Sequence, residues 1–312
     1  LQDYNYTELE ALVLSLGEKK FRAKQLFEGL MQGKAISEIS SLSKAFKERL
    51  LEEYEDAPVK IKETFHSLDG TEKFLFEYAD GNLVEGVLMK YKYGYTQCVS
   101  TQVGCRMGCK FCASTLDGLV RGLRPSEMVD QIYRIGEDIG ERISNVVVMG
   151  TGEPMDNFDN FLKFVELLTD ENGVNISQRN LTVSTCGIIP KIKMLAEEQL
   201  QMTLALSLHA SSQEKRKELM PIANTYDLQE VLDACRYYFD KTGRRITFEY
   251  SLADGVNDSE QDAAELISLV KGMNCHVNLI PINPVEELEF EGSAKKVAEK
   301  FKNKLEKSRI NV

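Results

Sequence analysis

At 312 residues, 43% of them hydrophobic, the chain is long enough for one large core with room for a smaller second domain. Its net charge of −11 argues against a broadly basic, nonselective nucleic-acid coat, while leaving local basic patches open. Seven cysteines, an odd number with one tight cluster, do not resemble a disulfide framework. The longest apolar runs, such as Val146-Val147-Val148-Met149, are far too short to cross a bilayer, so a soluble cytoplasmic protein without membrane contact is expected.

Leu9, Leu12, Val13 and Leu16 fall at helical spacing before Gly17, and residues 21–30 and 42–51 repeat the pattern. Residues 1–55 therefore read as a small helical accessory domain. The period then changes to alternation in Val59-Lys60-Ile61-Lys62. Asp69-Gly70 and Asp80-Gly81 are hairpin-turn chemistry, so residues 56–94 read as a short antiparallel β meander acting as connector. From residue 95 to 312, short apolar strands near 97–99, 145–149, 181–184, 203–208, 247–250 and 276–280 alternate with helices near 126–138, 158–169, 228–239, 259–271 and 293–306. This is the pattern of an α/β chain with six parallel β-α units, a partial (βα)6 barrel whose chemistry belongs at the strand C-termini.

The unusual residues cluster at those ends. A cysteine-rich loop follows the first strand, Gly150-Thr151-Gly152-Glu153-Pro154 the second, Ser184-Thr185-Cys186-Gly187 the third, Ser207-Leu208-His209 the fourth and Asn283-Pro284 the last. Each could be turn chemistry alone; their agreement with the barrel rule favours a functional mouth. The loop contains Cys105-x3-Cys109-x2-Cys112, with Cys98 seven positions earlier. Structural zinc prefers four ligands, and His66 and His276 fall on remote strands. Three thiolates on one loop suit a 4Fe-4S cluster, leaving the fourth iron open to a bound cofactor or substrate, with Phe111 as an aromatic shield.

The Cys-x3-Cys-x2-Cys spacing with that aromatic resembles the signature of the radical S-adenosylmethionine (SAM) superfamily. The motifs Cys98-Val99-Ser100-Thr101-Gln102-Val103-Gly104-Cys105, Met149-Gly150-x-Gly152-Glu153-Pro154, Ser184-Thr185-x-Gly187-Ile188-Ile189-Pro190, Ser207-Leu208-His209-Ala210, Gly255-Val256-Asn257-Asp258 and Asn278-Leu279-Ile280-Pro281-x-Asn283-Pro284 occur in the order found in the RlmN/Cfr RNA methyltransferases. The resemblance covers nearly the whole chain, including Phe21-Arg22-Ala23-Lys24-Gln25.

The resemblance implies a radical SAM methyltransferase that modifies carbon 2 of an adenosine in 23S ribosomal RNA and in certain transfer RNAs, through a methylated cysteine. That carbon lies between two ring nitrogens and is too electron-poor to attack the methyl of SAM as a nucleophile. The implied cofactors are a 4Fe-4S cluster on Cys105, Cys109 and Cys112, and SAM held by Gly152, Glu153, Ser184, Ser207, Leu208, His209 and Asn283. Cys98 matches the thiol that resolves the protein–RNA adduct through a disulfide, and Glu85 matches the proton acceptor. A flavodoxin or ferredoxin as electron donor and a monomeric state complete the expectation. The alternatives are attack at carbon 8, as in Cfr, and, more remotely, a plain iron-sulfur carrier or a zinc-stabilised RNA-binding module. Gln102-Val103-Gly104 leans toward RlmN.

Lys19, Lys20, Arg22, Lys24, Arg121, Arg124, Lys215-Arg216-Lys217 and Arg244-Arg245 are candidate phosphate contacts. Two departures from the family pattern, Gly122 after Arg121 and Ala223 after Pro221-Ile222, bear on RNA positioning. Cys186, Cys235 and Cys275 read as small core or strand residues. The family's methyl-carrying cysteine lies beyond Val312, so the chain as given, its C-terminal tail missing, is expected to be inactive.

Overall fold

The structure, a computed structural model, describes all residues except Glu55, Ala57, Pro58, Pro284, Val285 and Glu286. The expected boundary at residue 55 therefore falls outside the described residues, as does Pro284 of the last strand-end motif. The chain divides into two compact units: 1–103 with 121–151 and 157–181, and 104–120 with 152–156 and 182–312.

The first unit begins with helices α1 (Tyr6–Ser15), α2 (Lys20–Leu30) and α3 (Lys44–Glu53). A reciprocal cap starts α1: Glu8 N–H donates to Asn5 Oδ1 at 2.9 Å and Asn5 N–H to Glu8 Oε2 at 2.7 Å. Leu9, Val13, Ala23, Leu26, Phe27, Phe46 and Leu50 are buried, as the helical spacing predicts. The meander follows as β1 (Lys60–His66), β2 (Glu72–Glu77), β3 (Leu83–Tyr91) and β4 (Gly94–Cys98), each antiparallel to the next. Short strands β5 (Gln102–Gly104) and β6 (Leu119–Gly122) lie on either side of the cysteine loop in sequence. Helix α4 (Pro125–Ile139) opens with proline at its first position and closes on Gly140 at φ 65°. Strand β7 (Ile143–Val148) runs parallel to β4, and α5 (Phe158–Thr169) follows.

The second unit carries the parallel strands β8 (Leu181–Thr185, all but its first residue), β9 (Thr203–Ser207), β10 (Ile246–Leu252) and β11 (Cys275–Pro281), paired in that order. Helices α6 (Ile189–Glu197), α7 (Gln213–Leu219), α8 (Leu228–Thr242), α9 (Glu260–Val270) and α10 (Lys295–Lys307) connect and flank them. Every residue of β10 is buried, which is the signature of a central parallel strand covered on both faces. The observed parallel strands lie within a few residues of their expected positions, whereas α6 and α7 had no sequence-based expectation.

Candidate active site

The cysteine loop belongs to the second unit and is held by its own backbone. Cys105 N–H donates to Gly118 O at 2.9 Å, and Thr115 Oγ1 donates to Cys109 O at 3.2 Å and Cys112 O at 2.9 Å. Gly104 sits at φ 72°, where a Cβ would lie 1.9 Å from Gly118 O, so only glycine permits this closure. Lys110 N–H donates to Leu219 O at 3.0 Å, seating the middle of the loop on the end of α7. Met107, Cys109 and Phe111 pack on a buried cluster of Cys186, Ala210, Leu219 and Met220.

Burial pushes the Cys105 thiol up to about 11, and burial followed by the neighbouring Cys112 and Cys105 pushes Cys109 up to about 12. Three thiolates this close repel one another unless a cationic centre lies among them. Among the described residues, no three Cys, His, Asp or Glu side chains converge tightly enough to hold a single ion. A tetrahedral zinc would draw its thiolates to within roughly 4 Å of each other, given Zn–S bonds of about 2.3 Å. A cubane spreads its three thiolates over three irons. The set of three thiol donors on one loop suits the cluster.

Around this loop stand the strand ends of the same unit. Gly152 is at φ 108°, and the next residue, Glu153, is buried, its Oε2 accepting Cys186 N–H at 2.7 Å and Oε1 accepting Met155 N–H at 3.0 Å. Burial raises the Glu153 pKa, opposed by these backbone bonds. Ser184 Oγ and Ser207 Oγ, on neighbouring strands, are 3.3 Å apart. Leu208 and His209 N–H groups both donate to Glu249 O, at 3.0 and 3.1 Å. The His209 ring meets Phe111 edge-on at 4.8 Å and its Nδ1 accepts Ser251 N–H at 3.0 Å, which assigns the ring proton to Nε2. Burial, and then the charge of Arg216, lowers the His209 pKa to about 3, so the ring is neutral at physiological pH. Asn283 is exposed just past β11.

Glu85 and Cys98 lie in the first unit. Val87 stands directly opposite Cys98 in the antiparallel β3–β4 pair, so Glu85, two residues before Val87, shares a sheet face with the thiol. Such diagonal neighbours are about 7 Å apart. Lys73 Nζ donates to Glu85 Oε1 at 2.9 Å, and burial pushes the Cys98 thiol up to about 11.

The structure corrects one expectation outright: Arg216, read as a phosphate contact, is wholly buried. Its neighbour Lys215 is paired with the buried carboxylate of Asp262 at 2.7 Å, and Arg121 is clamped between Asp80 and Glu127 at 2.6 and 2.8 Å. Gly122 also finds its reason. A Cβ there would lie 2.6 Å from Asn157 Oδ1, because the Asn157 amide occupies that space and donates to Thr101 O and Leu123 O at 3.0 and 2.8 Å. Ala223 is buried, its carbonyl accepting from Gln213 Nε2 at 2.7 Å.

Sequence reasoning passed over Asn257, wholly buried, whose amide donates to His209 O and Ser251 O at 2.7 Å each and accepts Ala253 N–H at 2.8 Å. Its Gly-Val-Asn-Asp motif was the available signal. Cys186 and Cys235 are buried core residues and Cys275 is half-buried, as read; all seven cysteines are free thiols.

The radical SAM superfamily profile matches residues 99–267, and that of the ribosomal RNA large subunit methyltransferase N-terminal domain matches residues 1–55. The chain is 59% identical to the "probable dual-specificity RNA methyltransferase RlmN" of Lachnospira eligens, with 100% of this chain and 90% of that protein covered. The chain belongs to the RlmN family of radical SAM proteins. A second RlmN, from Clostridium novyi, is 54% identical over 99% of this chain and 91% of its own length. A solved radical SAM methyltransferase from Sphaerobacter thermophilus superposes with a TM-score of 0.95 at 39% identity, covering 100% of this chain and 93% of that one. The expected fold class, an α/β radical SAM fold with a helical start and antiparallel strands, is the one observed. Coverage of nine-tenths of the relatives' length lends no support to the expectation of an inactive chain. Among the described residues no helix is long and apolar enough to cross a membrane.

Proposed function

We propose that this chain methylates carbon 2 of an adenosine in 23S ribosomal RNA and in certain transfer RNAs. The observation that carries the proposal is the three-thiol loop of Cys105, Cys109 and Cys112, seated against the second unit's strand ends in a chain 59% identical to a dual-specificity RNA methyltransferase. These thiols would hold the 4Fe-4S cluster, and Gly152, Glu153, Ser184, Ser207, Leu208, His209 and Asn283 would line the SAM site. When bound, the pair supplies the radical and the methyl carbon that adenine C2 cannot obtain by ordinary nucleophilic attack.

The chain's own residues then position and resolve. Glu153 fixes the turn after β8 through its bonds to Cys186 N–H and Met155 N–H, which orients the strand end carrying Ser184. His209 stays neutral, so its Nε2–H is a donor rather than a competing cation. Cys98, a neutral thiol at physiological pH, needs a proton acceptor to act as a nucleophile, and Glu85 on the same sheet face supports that role. A low-potential donor of the flavodoxin or ferredoxin class, a monomeric state and a cytoplasmic location complete the reading.

The test is mass spectrometry of adenosines from ribosomal and transfer RNA treated with reconstituted protein, SAM and a reductant. 2-Methyladenosine is the expected product. 8-Methyladenosine would reassign the chain to Cfr-type chemistry, and unmodified RNA despite a full, SAM-cleaving cluster would refute RNA methylation.

A further inference from the structure

Arg216, the fourth residue of α7, is 0% exposed. Its Nη2 donates to Cys186 O at 2.7 Å and to Ser207 O at 3.4 Å, while Nε and Nη1 find no hydrogen-bond partner among the described residues. A buried guanidinium ordinarily sits against a carboxylate, because its desolvation costs several kcal/mol without one. Burial lowers the Arg216 pKa from its usual value, and Cys109 packs on the buried cluster that contains Cys186, whose carbonyl accepts from Arg216. Cys109 belongs to the proposed cluster set. Its loop is fastened to this helix by the Lys110 N–H to Leu219 O bond at 3.0 Å, and Gly108 lies 3.4 Å in Cβ reach from Pro221 Cγ just beyond the helix.

We infer that Arg216 is a positioning residue of the cluster site: it ties the ends of β8 and β9 together and places a guanidinium charge behind the Cys109 side of the loop, which eases entry of an electron. The geometry separates these two tasks. Bridging two carbonyls needs only a neutral donor, and an amide would serve at far lower desolvation cost. The charge becomes useful when anions arrive. A cluster with three thiolate ligands is a net anion, and one-electron reduction adds a further negative charge. A fixed cation in a low-dielectric surround favours the reduced state, and no solvent screens it. The inference rests on the cluster reading of Cys105, Cys109 and Cys112.

The experiment is an anaerobic potentiometric titration, followed by electron paramagnetic resonance, of the reconstituted unsubstituted chain, Arg216→Gln and Arg216→Lys. The unsubstituted chain should hold about four irons, as a cubane requires. A chain without them refutes the cluster reading and, with it, the role of Arg216, whereas a loaded cluster tests Arg216 alone. With the cluster present, Arg216→Gln should keep its iron yet show at least a tenfold smaller ratio of reduced to oxidised cluster at a fixed potential, equivalent to a negative shift of about 59 mV for one electron. Arg216→Lys, which retains the charge, should titrate near the unsubstituted chain. An unshifted glutamine variant, or a lysine variant shifted as far as glutamine, would overturn the inference. Should the glutamine variant fail to fold, the lysine variant decides: a loaded cluster near the parent potential supports the inference, while loss of iron or a tenfold shift overturns it.

Discussion

Two arginines, one in each unit, meet burial in opposite ways. Arg121 in the first unit is paired with Glu127 at 2.8 Å and Asp80 at 2.6 Å, and Glu127, nearly buried, also accepts Arg124 N–H at 2.7 Å. The guanidinium raises its own pKa through these partners and holds the Asp80 carboxyl far below the usual range. Arg216 in the second unit is buried more deeply, with only backbone carbonyls as hydrogen-bond partners among the described residues. The first arrangement is self-sufficient: its charges balance within the protein and brace the start of α4. The second sets a buried guanidinium on the carbonyls of two strand ends, Cys186 and Ser207.

The sharpest way to break this contrast is to remove a ligand from one side only. Cys109→Ala should lose essentially all of the roughly four irons of a cubane and all SAM cleavage, whereas Arg121→Lys should leave iron content unchanged. Iron analysis and 5′-deoxyadenosine assay report both; a full, SAM-cleaving cluster in Cys109→Ala would sink the site assignment.

Stability measurements address the ion-paired side. Glu127→Gln leaves Arg121 one carboxylate short and weakens the cap of α4, so urea unfolding should register a loss of about 2 kcal/mol, within the range for charge-assisted bonds. A loss as small as that of a surface pair would mean that the clamp is not structural.

A pH scan addresses the other side. The folded His209 pKa, about 3, lies below the unfolded value of 6.5, so the unfolded chain takes up this proton first. The His209 contribution is intact above about pH 6.5 and is lost as pH falls toward 3. At pH 5 the gap of roughly 1.5 pKa units is worth about 2 kcal/mol at most. His209→Asn keeps an acceptor for Ser251 N–H, and asparagine tolerates the φ of 53° at this position. The stability difference between the two proteins should therefore narrow between pH 7.5 and pH 5, and parallel curves would contradict a buried neutral imidazole.

The smallest effect is expected on the exposed meander. Lys62 and Glu77 form a 3.0 Å pair with side chains 47% and 37% exposed. Lys62→Ala should change stability by only about 0.3 kcal/mol and lose even that in high salt.

The parallel strands were legible because a buried strand declares itself as a short apolar run between turn residues, as in β7 and β9. Helix α7 was not: Gln-Glu-Lys-Arg-Lys-Glu-Leu has no apolar stripe, and one of its two buried residues is the arginine itself. The three thiols were legible as a set since their spacing on one loop is a property of consecutive residues. Glu153 stood out in the strand-end turn, but not as the acceptor for Cys186 N–H, 33 positions later.

The sequence alone determined the strand and helix periods, the strand-end clustering of unusual residues, and the spacing of the cysteine trio Cys105, Cys109 and Cys112, because each is written within a few consecutive positions. Only the tertiary structure decided that Arg216 lies inside, that Asn157 fills the space beside Gly122, that Asn257 staples His209 to Ser251, and that Glu85 and Cys98 share a sheet face. The physical reason is range. Periodicity and turn chemistry are set by neighbours along the chain, whereas burial and pairing depend on what residues tens of positions away bring into contact, and a charged residue does not announce which it will meet.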